Sequence, residues 1–274
     1  MATTGSTTAM RLGGLYRYPV KSCAPLPTDA AVVEPRGLAH DRRWMVVDPS
    51  GRFITGRELP RLTLLRAEPA ASGLLSLQAS GMAPIEVPVP EGDARIPVTV
   101  WKSDVLARPC DTAADAWLSD FLGRPVRLVH MGTDVHRPMT SSRAQPGDEV
   151  SFADAYPLLL ITRAAVDLLN TKLERPVSPL RFRPNLIVDG AAAHAEDGWK
   201  RIRVGEVELE VGKACVRCVF TTVDPERGER DAEGQPLRTL VGYRRGEEGV
   251  TFGRNLIPRT AGTLRPGDPV VVLA

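Results

Sequence analysis

The chain has 274 residues, 43% of them hydrophobic and 25% charged, with a formal net charge of +2. These are ordinary globular values, ample for a normal core without disulfides, and too weakly basic to argue for a nucleic-acid partner. No apolar run approaches the roughly 20 residues of a membrane-spanning helix.

Twenty-four glycines and twenty-four prolines imply many turns and short strands. The small, polar residues 1–9 carry no Arg and no amphipathic pattern. They are expected to be disordered, and to be neither a transit peptide nor an anchor. With no signal peptide and four cysteines, the expected compartment is reducing and the localisation cytoplasmic. Strands are expected at 11–18, 29–34 and within 40–48, where Pro49-Ser50-Gly51 turns the chain into 52–55. Further strands fall at 62–68, 74–78, 85–88 and 97–107. The first hundred or so residues thus read as a β-rich unit, in form a small barrel. Asp111 caps a helix over 113–122 that Gly123 closes. A strand follows at 126–130. The polar, turn-rich stretch 132–147 reads as a linker between halves or as a loop near the site. Then come a strand at 158–161, a helix from Thr162 through Leu173, and strands at 185–188, 202–211, 219–223, 250–252 and 270–273.

The chemistry centres on Lys213-Ala-Cys-Val-Arg-Cys-Val-Phe-Thr-Thr-Val-Asp-Pro225. Cys215 and Cys218 lie in a C-x-x-C spacing with Arg217 between them, in what reads as a tight connection between two strands. Buried packing as small apolar groups is one reading. A zinc site needs four ligands, and the four scattered histidines and the absence of a second C-x-x-C disfavour it. A thioredoxin-like pair calls for a helix start after the first cysteine, and none is expected here. A lone thiolate holding a soft metal is the remaining reading, with Arg217 and Lys213 placing positive charge that favours it.

The run K-A-C-x-R-C-x-x-T-T-V-D-P, followed by Pro236-Leu-x-Thr-Leu240 and Tyr243-Arg244, resembles the MOSC domain family, and within it the mitochondrial amidoxime-reducing component and its bacterial counterparts. Three further stretches fit in family order: Tyr18-Pro-Val-Lys-Ser-Cys23, Asp41-Arg42-Arg43-Trp44 and Phe182-Arg183-Pro184-Asn185. The resemblance implies a mixed α/β, β-rich fold. An N-terminal MOSC β-barrel domain would span 10–125 and a MOSC domain 126–274, with the site in the cleft between them.

The resemblance also implies a molybdenum cofactor, Mo-molybdopterin, with Cys218 as the protein's metal ligand. Lys21, Ser22, Arg42, Thr162, Arg183, Asn185, Arg217 and Asn255 would bind the cofactor, and Asp154 would relay protons. A tyrosine near the cofactor in the mitochondrial proteins falls on Asn255 here, and a serine contact falls on Tyr156. The implied activity is reduction of small N-hydroxylated substrates, a detoxification chemistry, with electrons from a separate iron–sulfur or flavin protein. That donor is expected to dock over 132–147, at His136, Arg137 and Arg143. No C-terminal ferredoxin domain, nucleic-acid partner or membrane partner is expected. A cofactor carrier or sulfur-transfer protein is the alternative.

Overall fold

The computed structural model describes residues 9–274. The expectation for the N-terminus, Ala9 apart, lies outside the described residues. The fold is β-rich, with the helices Thr112–Leu122, Arg163–Asn170 and Leu237–Tyr243. The largest sheet has nine strands. In spatial order they are Leu26–Pro27, Arg11–Arg17, Leu186–Asp189, Leu158–Thr162, Gly249–Pro258, Val207–Val216, Arg201–Val204 and Val270–Val272, with Arg245–Gly246 pairing onto Gly249–Pro258. Leu158–Thr162 and Leu186–Asp189 pair in parallel, so their connection must cross over, and the helix Arg163–Asn170 lies within it. A four-stranded sheet runs Trp44–Val47, Arg127–His130, Ser103–Pro109, Ile96–Val100. A three-stranded meander joins Arg66–Pro69, Leu74–Gln78 and Ile85–Pro88.

The two halves are laced together by sheet pairing. Arg11–Arg17 pairs with Leu186–Asp189 in the large sheet. Arg127–His130, beyond residue 125, pairs back onto Trp44–Val47. Gly262–Leu264 adds to Ala31–Glu34. The core under the large sheet draws on both halves, and a second core surrounds the meander. Leu12, Leu160, Leu186, Leu209 and Leu256 are fully buried under the large sheet. Leu62, Leu75, Leu77, Leu118 and Phe121 pack between the meander and the first helix. Each such side chain contributes about 1.5–3 kcal/mol on burial.

Strong local signals produced the expected elements. Leu74–Gln78 alternates in burial as it alternates in sequence. Asp111 accepts a hydrogen bond from the Ala114 amide at 2.7 Å, and Gly123 closes the helix at φ 68°. Four expected strands differ. Over 62–68 a 3-10 turn, Pro60–Leu64, precedes the strand Arg66–Pro69, because Pro60 supplies the helical φ that starts a turn. Residues 97–107 fold into a hairpin through Trp101 and Lys102. Residues 202–211 fold into another through Gly205, at φ 56°. Val219–Thr222 is a 3-10 turn rather than a strand, leaving only Val223–Asp224 extended. The helix Leu237–Tyr243 was not anticipated.

His130 lies opposite Trp44 in the four-stranded sheet, with ring centres 4.7 Å apart and its Nδ1 buried without a partner. Burial, reinforced by Arg43 and Arg108, pushes its pKa down to about 3. The unfolded chain therefore binds this proton first as pH falls. The stability contributed by neutral His130 is complete above the ordinary histidine pKa of about 6.5 and is lost between there and about 3. Melting temperature should fall from pH 7 to pH 4. In His130→Asn that fall should be smaller by several degrees, at roughly 2–4 °C per kcal/mol. Identical pH profiles for the two proteins would assign the acid sensitivity elsewhere.

Candidate functional site

The strand Arg11–Arg17 ends in a turn that the segment 40–44 grips from the side. The Lys21 amide donates to Trp44 O at 2.8 Å, and the Arg42 amide to Tyr18 O at 2.8 Å. Asp41, 1% exposed, accepts from the Tyr18 amide at 2.7 Å and pairs with the Arg42 guanidinium. Burial pushes the Asp41 carboxyl above its usual range, although Arg42 opposes it. Arg42 also donates to Asn185 Oδ1 at 3.0 Å, and that oxygen takes the Leu159 amide at 3.2 Å. Asn185 Nδ2 donates to Tyr16 O at 3.0 Å. Asn185 thus ties three segments together, and most of its hydrogen-bonding capacity is spent on the protein.

Tyr18 is fully buried between two cations, with the Arg42 and Arg183 guanidinium carbons 4.3 and 4.2 Å from its ring centre. Its hydroxyl donates to Pro184 O at 3.1 Å. Arg183 donates to Cys23 O at 2.7 Å, while its Nη2 is buried without a partner. Burial pushes the Arg183 pKa down to about 10, so the side chain stays cationic at neutral pH. Ser22, Arg42 and Arg183 all hold left-handed backbone, at φ 68°, 49° and 55°. Such conformations cost on the order of 1–3 kcal/mol each and persist only where surrounding contacts fix them.

These residues form one wall of a cleft with about 830 Å³ of space, its open mouth included. The cysteines form the facing wall. The strand Val207–Val216 shifts register between Val211 and Ala214 and again before Val216. Cys215 sits in this distorted end, and Cys218 caps the 3-10 turn that follows. Each sulfur accepts from an arginine. Arg217 Nη1 lies 2.7 Å from Cys215 Sγ, and Arg57 Nε lies 3.1 Å from Cys218 Sγ. Lys213 is not at the sulfurs; it pairs with Glu248 at 3.1 Å. Asn255 lines the same cleft and donates to Lys213 O at 3.2 Å.

Asp154 and Tyr156 come from the loop 151–157, which Arg137 braces by donating to Ser151 O, Ala153 O and Asp154 O. Asp154 pairs with Lys21, which is 4% exposed, and accepts from Arg57 Nη2 at 3.1 Å and Trp101 Nε1 at 3.1 Å. Burial would raise its pKa, but Lys21 and Arg57 outweigh it and hold the carboxyl well below the usual range. Half of its side-chain surface opens to the cleft, so solvent softens the pull without reversing it. An aspartate that stays ionised at neutral pH is an anchor for cations and a poor proton relay.

Lys21, Ser22, Arg42, Arg183, Asn185, Arg217, Cys218, Asp154 and Asn255 therefore line one cleft. Thr162 does not. It is fully buried, and its hydroxyl donates to Glu196 at 2.8 Å. Arg57 and Phe220 line the cleft and were not foreseen. Gly56 admits the Phe220 ring, which would lie 2.3 Å from a Cβ at that position. Within 132–147, Arg137 is 6% exposed and spent on the loop, whereas His136, which bonds Glu149 at 2.5 Å, and Arg143 are both exposed.

Residues 9–125 match the MOSC N-terminal beta barrel domain and residues 147–271 the MOSC domain. Mitochondrial amidoxime-reducing component 1 of Mus musculus is 34% identical over 94% of this chain and 81% of its own length. The corresponding protein of Danio rerio is 36% identical over 93% and 82%. Mitochondrial amidoxime reducing component 2 of Homo sapiens is 34% identical over 93% and 81%.

The Asp41–Arg42 pair gives a stability prediction. With Asp41 buried and 13% of the Arg42 side chain exposed, Arg42→Met leaves an uncompensated carboxylate and should cost about 3–5 kcal/mol in urea unfolding. Adding Asp41→Asn should recover a large part of that loss. A double variant no more stable than Arg42→Met alone would show that the two side chains act independently.

Proposed function

The chain belongs to the MOSC family, in the group that joins an N-terminal β-barrel domain to a MOSC domain, and from that premise we propose that it is a molybdenum-cofactor-dependent oxidoreductase that reduces small N-hydroxylated compounds. The observation that carries this reading is the meeting, in one cleft, of the Cys218 thiol with a buried, partly unpartnered cation, Arg183. Among the described residues, no group of three or more His, Cys, Asp or Glu side chains converges on a metal-sized space. A metal held here would take one protein thiolate and the rest of its ligands from the cofactor. Sulfur ligation suits a soft metal.

The residues present fit such a group. Arg183 Nη2 and Arg217 Nε are buried donors without partners, and an anionic phosphate or a pterin carbonyl at the wall would satisfy them. Ser22 adds a hydroxyl at the same wall. Arg42 and Asn185 hold that wall in shape, and the Tyr18 ring between two guanidinium groups fixes its spacing. When bound, the cofactor supplies a molybdenum centre that cycles by two electrons as the N–O bond of the substrate is cleaved. Two electrons and two protons then balance an N-hydroxy substrate against its amine or amidine and water. Lys21, Arg57 and Trp101 keep Asp154 ionised at the mouth, where it attracts a cationic amidine rather than delivering a proton.

Benzamidoxime reduction with an artificial electron donor tests the activity. The purified, cofactor-loaded chain should form benzamidine, and Cys218→Ala should lose both turnover and the thiolate-to-metal absorption while Cys215→Ala keeps both. A dead Cys215 variant beside an active Cys218 variant would reverse the ligand assignment.

The electrons are proposed to come from a separate iron–sulfur or flavin protein. Cys23 and Cys110 are buried in the core of the first half, apart from the Cys215 and Cys218 pair, and an iron–sulfur centre takes four thiolates. NADH alone should not drive benzamidoxime reduction by this chain, and adding a ferredoxin- or flavin-type reductase should. NADH-driven turnover in the isolated chain would contradict this.

A further inference from the structure

Among the described residues, Arg57 is the one cation that touches both the Cys218 sulfur and the Asp154 carboxylate. Its Nε lies 3.1 Å from Cys218 Sγ and its Nη2 3.1 Å from Asp154 Oδ2. The guanidinium carbon lies 4.7 Å from the Trp101 ring centre and 5.9 Å from that of Phe220. The planar fork is thus aimed by two contacts along its edge and bounded by two rings. Trp101 sits at the tip of the hairpin Ile96–Val100 to Ser103–Pro109 in left-handed backbone, at φ 56°. For so bulky a residue that conformation is an outlier, and it implies a surrounding that over-determines it. Here the indole N–H donates to Asp154 and its ring meets Phe53 at 5.0 Å and Arg57 at 4.7 Å. Hydrogen bonds to a metal-bound sulfur draw electron density away from the metal. A nearby cation favours the more reduced, more negative state.

We propose that Arg57 is a positioning residue for the metal-binding thiolate: reaching over from the first half of the protein, it bridges the Cys218 sulfur and the Asp154 carboxylate of the second and tunes the bound metal through an N–H···S hydrogen bond. This rests on Cys218 being the metal ligand. Lysine cannot replace it, because a single ammonium cannot present two parallel donors in the plane that the sulfur and the carboxylate define.

The test uses the full chain purified with its cofactor, in four forms: unaltered, Arg57→Gln, Arg57→Lys and Cys218→Ala. Three quantities are read: the position of the thiolate-to-metal absorption, the midpoint potential of the molybdenum centre, and molybdenum retained after dialysis. Arg57→Gln should move the absorption to longer wavelength, lower the potential and weaken cofactor retention by about 10–100-fold. Arg57→Lys should shift the absorption in the same direction, and it carries the test if Arg57→Gln fails to fold. A structural role alone would change retention and melting temperature but leave the band and potential of the remaining loaded protein in place. The proposal is overturned if Cys218→Ala abolishes the band while both Arg57 variants keep the wild-type band and potential. If Cys218→Ala keeps the band, the ligand assignment itself falls, and the role of Arg57 falls with it.

Discussion

A carboxylate with 1% exposure, Asp41, sits where the chain has to bring its two halves together. Taking that charge out of water costs several kcal/mol unless it is paired and hydrogen-bonded. The pairing sets much of what surrounds it. Arg42 must come close, and its backbone takes left-handed φ to do so. Arg42 reaches Asn185, Asn185 reaches Tyr16 and Leu159, and the two-cation grip on Tyr18 brings in Arg183. These contacts join the strand Arg11–Arg17 to Leu186–Asp189 and Leu158–Thr162, which are neighbours in the large sheet. Residues that would bind a cofactor and residues that hold the halves together are therefore partly the same residues. Arg42 and Asn185 serve the seam first, and Ser22, Arg183 and Arg217 are freer to meet a ligand.

The facing wall obeys a different constraint. A thiol that is to bind a metal must be presented from backbone that does not move, yet must not be paired away in a sheet. The strand Val207–Val216 meets both needs by losing register before Cys215 and then stopping. The 3-10 turn Val219–Thr222 fixes Cys218 through Thr221, whose amide and hydroxyl both donate to Cys218 O, at 3.0 and 2.9 Å. Arg57 and Arg217 then give the two sulfurs different cations, one from each half of the chain. This difference offers a physical basis for two cysteines three positions apart having unlike roles.

What could be read from the sequence was local. The capped helix, the alternating strands at 74–78 and 85–88, and the cysteine run each carry their signal within about ten residues. The missed turns lacked the usual punctuation. Trp101-Lys102 holds no Gly, Asn or Asp, and the Gly205 turn was hidden because apolar alternation continues across it. Val219-Phe220-Thr221-Thr222 has strand composition but folds as a turn, since Thr221 and Thr222 hydroxyls bond the carbonyls three residues back. Arg57 was beyond reach for another reason. It is one of thirty-five lysines and arginines, and its contact with Cys218 spans 161 positions. Thr162 shows the reverse case, where family likeness pointed to the cleft but the side chain turns into the core toward Glu196.

Everything proposed for this cleft depends on a molybdenum centre held there with Cys218 as its protein ligand. Molybdenum-edge X-ray absorption of the purified chain, compared with Cys218→Ala reloaded with cofactor, tests it most directly. Molybdenum should be present in the unaltered protein, with one sulfur scatterer fewer in the variant. Absence of molybdenum from protein made in a cofactor-producing host, or an unchanged sulfur count in the variant, would contradict it.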